Sequence, residues 1–448
     1  MSAGGLTVVI VPPATANGPL HVGHLAGPFL AADMVARAAR ARGERVLALA
    51  GFDVHQNWVL TRAENDGIDV GKLAGQYRDE IIRAYHAARI GYDVFLDPQS
   101  EGYADGVQRL AADLVRSGLF PLRDTTLHRC ADCRRTLHHA YVVGTCAWCG
   151  SGAAGGGCEG CGGYTCADNL RDARCGRCGG APEAFTARVP VLPLEEHRDA
   201  IVDVWQIANL SGRGRRIVAH YLEAGLPTVP LAYPTNWGLD GTGPLDGLTI
   251  DVYLEVGLST VYGAATGARP GATGLARTAE ALADVDRIWH FNGIDNGFYT
   301  TLFWPALYQA CGLRADQLGG VVTNEFYTLD GAKFSTSRNH AIWANEFLAE
   351  QDVDVVRLFL AWDRPDRYAS DFTMASYTEF ESYVRPLLDG RPATLPLPDS
   401  LAAADVRRGL DALRPAGFDA ALATRSLLAG LAAGAPGTDA LRIALTGR

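Results

Sequence analysis

Four Cys-x-x-Cys pairs lie between residues 130 and 178, and thiolates are ligands that zinc prefers. Two such pairs complete a tetrahedral site, which leaves no coordination position open for a substrate. The spacing therefore predicts two structural zinc sites, built from Cys130, Cys133, Cys146, Cys149, Cys158, Cys161, Cys175 and Cys178. The alternative is a disulfide-rich insertion, which a reducing compartment disfavours. We expect the neighbouring His138 and His139 to be solvated.

Two histidines, His21 and His24, follow the first apolar run and open a predicted helix. Residues three apart share one helix face, and the unpaired N–H groups of a helix N-terminus favour an anion. Gly23, between the histidines, lets a ligand approach the backbone. The pattern predicts a site for nucleotide phosphates.

Lys333 lies in the loop Gly331-Ala332-Lys333-Phe334-Ser335-Thr336-Ser337 and is, with Lys72, one of the two lysines of the chain. Arginine supplies almost every other cation. An ammonium on a flexible stem suits a departing pyrophosphate better than a rigid guanidinium fork does. We expect this loop to contact phosphates as well.

The elements that must position these residues alternate between strands and helices. Strand, helix and strand are predicted at 8–11, 24–42 and 45–50, which is a βαβ unit and indicates a parallel sheet. Further strands are predicted at 248–258, 287–291 and 320–323, with a helix at 299–311. The fold class is therefore α/β, a Rossmann-type doubly wound parallel sheet interrupted by the zinc insertion.

The domain prediction divides the chain into five segments. They are the first half of the Rossmann domain (1–120), a connective insertion with two zinc knuckles (121–245), the second half of the Rossmann domain (246–345), a helical region (346–385) and a short helical tail (386–448).

Composition excludes several classes of protein. The 448 residues carry a net charge of -10 and are 48% hydrophobic, which is typical of a folded protein rather than a disordered or fibrous one. The acidic balance disfavours a dedicated nucleic-acid binder. The first apolar run is short and is expected to be a strand rather than a signal peptide, and no stretch reaches the roughly 18 apolar residues of a membrane helix. We expect a cytoplasmic protein.

Three motifs together resemble one family. His21-Val22-Gly23-His24 and Lys333-Phe334-Ser335-Thr336-Ser337 resemble the two signatures of class I aminoacyl-tRNA synthetases, and the paired knuckles resemble those of the methionyl type. The resemblance implies ATP-dependent formation of an aminoacyl-adenylate, with Mg²⁺ accompanying ATP. It also implies that the inner four cysteines, from Cys146 to Cys161, hold one zinc and the outer four the other.

The resemblance also assigns roles to single residues. His21, His24 and Lys333 would be catalytic. The ATP-binding residues would be Gly23, Gly293, Asp295, Ser335 and Ser337, and the amino-acid-binding residues would be Thr15, Asp53, Tyr253, Asn296 and Thr300.

The amino-acid pocket departs from the methionyl pattern. Thr15, Tyr253, Asn296 and Thr300 stand where the family has a tyrosine, a tryptophan, an isoleucine and a histidine. Leaving a buried polar group unmatched costs about 1 to 3 kcal/mol, so methionine fits poorly. We expect a small or polar amino acid instead. Thr336 replaces the second signature lysine, which leaves Lys333 as the main cation on pyrophosphate.

Three hypotheses follow for the acyl acceptor. The chain from Asp371 onwards has eight arginines and no lysine against nine acidic residues, and it has no tryptophan, so tRNA is not the expected partner. The favoured acceptor is a small-molecule nucleophile such as an N-hydroxylated amine, as in the synthetase-like module of hydrazine-forming enzymes, with a separate cupin protein as partner. The alternatives are a truncated methionyl-tRNA synthetase that charges tRNA and a non-catalytic zinc-bearing regulatory protein.

Overall fold

The computed structural model describes residues 5–334, 340–391 and 399–448. Its first part alternates strands and helices, as the sequence predicts. The elements are β1 (Leu6–Ile10), β2 (Ala14–Thr15), α1 (Val22–His24), α2 (Leu30–Ala41), β3 (Val46–Asp53), α3 (Asn57–Asp66), α4 (Val70–Ala87), β4 (Val94–Leu96) and α5 (Tyr103–Arg116). The helix predicted at 24–42 is kinked, because a π-turn with a non-helical Gly27 before Pro28 separates α1 from α2.

The insertion is built from antiparallel strands and two helices. Its elements are β5 (Leu122–Cys130), β6 (Val142–Cys146), β7 (Gly152–Ala154), β8 (Gly156–Gly157), β9 (Tyr164–Thr165), β10 (Leu170–Cys175), β11 (Pro182–Pro193), α6 (Arg198–Ile207), α7 (Gly212–Ala224), β12 (Thr228–Pro230) and β13 (Ala232–Tyr233). The whole of β5 pairs with β11, so these two strands lead to the cysteines and back.

The chain then returns to the central sheet. The elements are β14 (Thr249–Ile250), α8 (Val252–Ala268), α9 (Leu275–Leu282), β15 (Val285–Gly293), α10 (Trp304–Ala310), β16 (Leu318–Asn324), β17 (Tyr327–Leu329) and β18 (Ala332–Lys333). The strands predicted at 287–291 and 320–323 are confirmed. A π-turn at Tyr299–Phe303 leads into α10, so the predicted helix at 299–311 is also present.

The strand predicted at 248–258 is wrong beyond Ile250, because most of it is the helix α8. The carboxylate of Asp251 caps this helix by accepting from the N–H groups of Tyr253 (2.9 Å) and Leu254 (3.1 Å). Helix α8 is buried almost all round. A helix with apolar residues on every side has the same unbroken apolar pattern as a buried strand, so periodicity alone does not separate them.

Helices dominate the last part of the chain. They are α11 (Ala344–Glu350), α12 (Val353–Trp362), α13 (Met374–Leu388), α14 (Asp399–Ala412), α15 (Ala420–Ala433) and α16 (Thr438–Thr446), with β19 (Ser370–Phe372) before α13. The fully buried Arg357 of α12 donates to Asp33 Oδ2 (2.7 Å) on α2 and to the carbonyl of Leu445 (2.8 Å) on α16. These bonds fasten the last helix to the sheet-covering helices. No helix among the described residues has the length and apolarity needed to cross a membrane.

A parallel sheet organises all these elements. Its order is β16-β15-β1-β3, with both β2 and β4 pairing with β3. One core, under α2 and α12, covers one face, and a second core, under α5, α8 and α10, covers the other. The doubly wound α/β fold is confirmed. The strand order reverses between β1 and β15, and ligands of such sheets bind beyond the carboxyl ends at that point.

Candidate active site

His21 and His24 form a stacked pair just beyond the carboxyl end of β1. Their ring centroids lie 3.7 Å apart, and His24 Nδ1 accepts from the backbone N–H of His21 (3.1 Å). Burial lowers the pKa of His24 to about 4, and burial and the neighbouring His24 lower the pKa of His21 further. Both rings are therefore neutral at pH 7. His24 carries its proton on Nε2, so it offers a phosphate an N–H donor rather than a full charge.

The second signature meets the first at these rings. The ring of Phe334 stacks on His21 with centroids 4.4 Å apart. A Cβ on Gly23 would lie 3.2 Å from the Phe334 ring, so glycine allows this close approach. Ser335 and Ser337 lie outside the described residues, and their predicted contact with ATP stays a prediction.

Lys333 lies in β18, at the edge of the site. Its half-exposed ammonium pairs with the carboxylate of Glu159 and lies 5.2 Å from the ring centroid of Phe326. Glu159 stands between Cys158 and Cys161. Sequence reasoning missed this residue, although its position between two predicted zinc ligands is a signal that it would be held in place.

The predicted ribose turn follows β15 directly. A Cβ on Gly293 would lie 2.4 Å from Asp295 Oδ1, so only glycine fits this turn without a shift. Burial raises the pKa of Asp295, the Glu159 carboxylate raises it further, and Lys333 opposes the shift. The structure thus places Asp295 beside Gly293 and close enough to Lys333 for their charges to interact, and the roles of the three residues in binding ATP stay predictions.

Asp53 lies at the end of β3, beside Thr15 of β2. Burial raises the pKa of Asp53 to about 7, and the nearby Glu255 carboxylate adds to the shift. Glu255 is only 2% exposed and accepts from His55 Nδ1 (2.8 Å) and the Tyr103 hydroxyl (3.1 Å). The carboxylates of Asp53 and Glu255 are therefore both buried at the β3 end of the site. Glu255 and His55 are not among the predicted residues, although both stand in the stretches that contain Tyr253 and Asp53.

The remaining predicted amino-acid residues surround a tyrosine stack. The rings of Tyr253 and Tyr299 lie 3.6 Å apart, and the Tyr299 hydroxyl donates to the carbonyl of Gly156 (3.0 Å). The buried Thr300 follows Tyr299, and its hydroxyl donates to the carbonyl of Asn296 (3.0 Å). Aromatic surface and polar groups thus form this part of the site together.

The eight paired cysteines form two clusters with the predicted membership. The outer cluster is Cys130, Cys133, Cys175 and Cys178, and the inner cluster is Cys146, Cys149, Cys158 and Cys161. Sulfur pairs lie 3.4 and 3.8 Å apart in the outer cluster and 3.5 and 3.8 Å apart in the inner one. Tetrahedral zinc with bonds of about 2.3 Å places its sulfurs about 3.8 Å apart, so both clusters fit a zinc ion. All eight are free thiols.

The expectation that His138 and His139 are solvated is wrong. Both are buried, the His138 ring stacks on Tyr233 (4.3 Å), and His139 Nε2 lies 2.5 Å from Asp251 Oδ2. They pack between the insertion and the start of α8 because Asp251 and Tyr233 supply a charged and an aromatic partner there.

Comparisons with known proteins show which family the sequence matches. Residues 7–381 match the family described as tRNA synthetases class I (M). The methionine–tRNA ligase of Methanobrevibacter smithii is 29% identical over 364 residues, which cover 80% of this chain and 54% of that protein. The methionine–tRNA ligase of Dehalococcoides mccartyi is 30% identical over 373 residues, which cover 82% of this chain and 66% of that protein. The chain thus spans between half and two thirds of these relatives.

A solved structure has the same fold. Methionyl-tRNA synthetase of Mycobacterium tuberculosis, in complex with methionyl-adenylate, superposes with a TM-score of 0.69 at 18% identity. The match covers 95% of this chain and 82% of that one.

Proposed function

Since the chain belongs to the class I tRNA synthetases (M), we propose that it uses ATP to convert an amino acid other than methionine into an aminoacyl-adenylate. One observation carries the proposal. Both signatures meet at the strand ends, where Phe334 stacks on His21, while the buried carboxylate of Asp53 closes the β3 side. This arrangement offers phosphate donors and an ammonium anchor at one switch point.

The reaction needs no protein nucleophile. A carboxylate oxygen of the amino acid attacks the α-phosphorus of MgATP, the bond to the β-phosphate oxygen breaks, and pyrophosphate leaves. The Nε2–H of His24 and the ammonium of Lys333 stabilise the negative charge that builds on the phosphates. Lys333 must exchange Glu159 for pyrophosphate to do so. Gly293 and Asp295 hold the ribose.

The amino acid is bound on the β3 side of the site, where Asp53 lies. The Asp53 carboxylate pairs with the substrate ammonium, and Thr15, Tyr253, Asn296 and Thr300 surround its side chain. The amide of Asn296 supports a substrate other than methionine, because a thioether is a weak hydrogen-bond acceptor. The Thr300 hydroxyl already donates to the carbonyl of Asn296 and adds less to this argument.

We propose a small-molecule nucleophile as the acyl acceptor, such as an N-hydroxylated amine. Its hydroxylamine oxygen would attack the adenylate carbonyl, which gives an ester and releases AMP, and a separate cupin protein would then form the N–N bond. Two observations support an acceptor other than tRNA. The last helices are fastened to the catalytic sheet through Arg357. The chain from Asp371 onwards has no tryptophan to stack on bases and no net positive charge, because its eight arginines are outnumbered by nine acidic residues.

The cysteine clusters support a cytoplasmic reaction, since eight thiolates keep binding zinc only where thiols stay reduced. Both zinc ions have a structural role, because four thiolates leave no open position on either metal.

The alternative is a shortened methionyl-tRNA synthetase that charges tRNA. The names of the relatives favour it, since both are methionine–tRNA ligases.

ATP–pyrophosphate exchange across a panel of amino acids separates the two. We expect exchange with an amino acid other than methionine, and AMP release that increases with an N-hydroxylated amine but not with tRNA. Exchange with methionine alone, together with charging of tRNA, would establish the alternative. Absence of exchange with every amino acid would leave the non-catalytic hypothesis.

A further inference from the structure

Two stacked tyrosines occupy the space beside the predicted amino-acid anchor. The rings of Tyr253, at the start of α8, and Tyr299, in the π-turn before α10, have centroids 3.6 Å apart and an interplanar angle of 8°. This separation is ordinary van der Waals contact, so no ligand group fits between the rings. Tyr299 is 2% exposed, whereas Tyr253 is only partly buried. A ligand in the site therefore meets the ring of Tyr253.

The charges around Tyr253 place it between the two proposed anchors of the adenylate. Burial raises the pKa of its hydroxyl, and the carboxylates of Asp53, Asp251 and Asp295 each raise it further. Asp53 is the proposed anchor of the substrate ammonium, and Asp295 that of the ribose. The aminoacyl group of an adenylate lies between its ammonium and its ribose, so the α-carbon of the substrate lies close to Tyr253.

The insertion holds this stack in place. A Cβ on Gly156 would lie 3.1 Å from Cε2 of Tyr253 and 3.3 Å from its hydroxyl, so the backbone of β8 packs directly against this ring. The Tyr299 hydroxyl donates to the carbonyl of Gly156 (3.0 Å). Trp304 Nε1 donates to the carbonyl of Tyr253 (3.2 Å), which fixes the start of α8. Displacing the rings would therefore require a shift of the insertion backbone, and close-packed protein resists such shifts.

The predicted wall at Thr300 offers little more space. The Thr300 hydroxyl donates to the carbonyls of Asn296 (3.0 Å) and Gly297 (3.3 Å), within its own turn. The cavity that Thr300 lines together with Trp205 has room for about one water molecule. The residues described here therefore leave no depth for a long side chain.

We propose that the stack of Tyr253 on Tyr299 restricts the activated amino acid to glycine, with alanine as the largest substrate that still fits. The inference rests on the proposed function and narrows its substrate class. The selection is steric. The ammonium of any amino acid can reach Asp53 and its carboxylate can reach MgATP, but a side chain longer than a methyl group would overlap the Tyr253 ring.

ATP–pyrophosphate exchange with glycine, alanine, serine, valine and methionine tests the inference in the wild-type protein. We expect a kcat/KM for glycine about 10-fold above that for alanine and about 100-fold or more above that for valine, because overlap with a fixed wall weakens binding.

Variants of Tyr253 test whether the stack is the cause. Tyr253→Ala removes the ring and should raise the ratio of kcat/KM for valine to that for glycine by about 10- to 100-fold. Tyr253→Phe keeps the ring and should keep the wild-type ratio. Tyr383→Ala is the matched control, because Tyr383 is 69% exposed on α13 and should not alter the ratio.

The outcomes separate the inference from the proposed function. Wild-type exchange with serine, valine or methionine as efficient as with glycine would show that the rings move aside, so the inference would be wrong while adenylate formation stands. A preference for glycine that Tyr253→Ala leaves unchanged would also overturn it. Exchange with no amino acid removes the proposed function itself. If Tyr253→Ala does not fold, the smaller change Tyr253→Leu takes its place, with the same expected direction.

Discussion

The inner and outer cysteine clusters have the same four thiols but touch different parts of the molecule. The outer cluster closes a small core of its own with Leu137, Tyr141 and Leu170, at the end of the β5 and β11 arms. The inner cluster lies against the candidate active site. The carbonyl of Gly162 accepts from the N–H of Phe298 (2.8 Å), and Glu159 pairs with Lys333.

This difference separates two roles that the sequence pattern cannot separate. Both clusters stabilise the insertion, since a structural zinc site adds its binding energy to folding. The inner cluster also fixes the turn that bears Asp295 and the carboxylate that holds Lys333. We therefore expect changes near the inner cluster to alter catalysis, and matching changes near the outer cluster to alter stability alone.

The largest expected effect comes from Lys333, the residue that joins the inner cluster to the reaction. Lys333→Ala removes the cation from the pyrophosphate and should lower the exchange rate by about 10²- to 10³-fold. Lys72→Ala is the matched control, because Lys72 is the other lysine and lies exposed on α4. Equal rates for the two variants would contradict the role given to Lys333.

Breaking one cluster at a time tests the comparison directly. Cys158→Ser opens the inner cluster and should lower exchange by about 10- to 100-fold, because the turn that bears Asp295 loses its support from Gly162. Cys175→Ser opens the outer cluster and should change exchange by less than about threefold at a temperature where the protein stays folded. Zinc content and thermal unfolding, measured on both variants, verify that each loses one ion. Equal losses of activity would remove the distinction between the clusters.

Binding of the amino acid should depend on pH through Asp53 and should not depend on the outer cluster. The pKa of Asp53 is raised to about 7, so its carboxylate is ionised above that pH and protonated below it. Only the ionised form pairs with the substrate ammonium. The KM for the amino acid should therefore rise about tenfold per unit as the pH falls below about 7. Titration of KM at saturating ATP measures this, and Cys175→Ser should keep the same profile. A flat profile in the wild-type protein would show that Asp53 is not the anchor.

The smallest effect is expected at the ion pair between Lys333 and Glu159. Glu159→Gln frees Lys333 from an exposed carboxylate and should lower the KM for ATP by up to about fivefold, since exposed ion pairs are weak. Glu183→Gln is the control near the outer cluster, where Glu183 pairs with Arg129 and Arg134. An increase in the KM for ATP in Glu159→Gln would mean that Glu159 positions Lys333 rather than competing for it.

Local spacing accounts for what could be predicted from the sequence. The cysteine clusters, the two signatures and the βαβ order all rest on residues that are close in sequence or on short periodic runs. The meeting of His21 with Phe334 was accessible only through the family resemblance, because more than 300 residues separate the two rings.

What the sequence could not predict depends on pairing across the fold. The bonds from His55 and Tyr103 to Glu255, and the pair between Lys333 and Glu159, join residues from different segments, and no local pattern marks them. His290 lies within a predicted strand, but the absence of a hydrogen-bond partner for its ring in the described part of the chain becomes visible only in the structure, where Trp304 and Tyr308 of α10 pack against it. Helix α8 was missed because burial on every side removed the periodicity that identifies a surface helix.

The buried Arg357 bears on how the molecule unfolds. Its guanidinium is shared between α2, the segment before β4 and α16, through Asp33, Ala88 and Leu445. Detaching α16 alone would leave a buried cation without part of its hydrogen bonding, which is strongly unfavourable. The last helices and the sheet should therefore melt in one cooperative transition. We therefore expect the last helices to stabilise the catalytic sheet as a fixed part of the same folding unit, rather than to move against it as a separate domain.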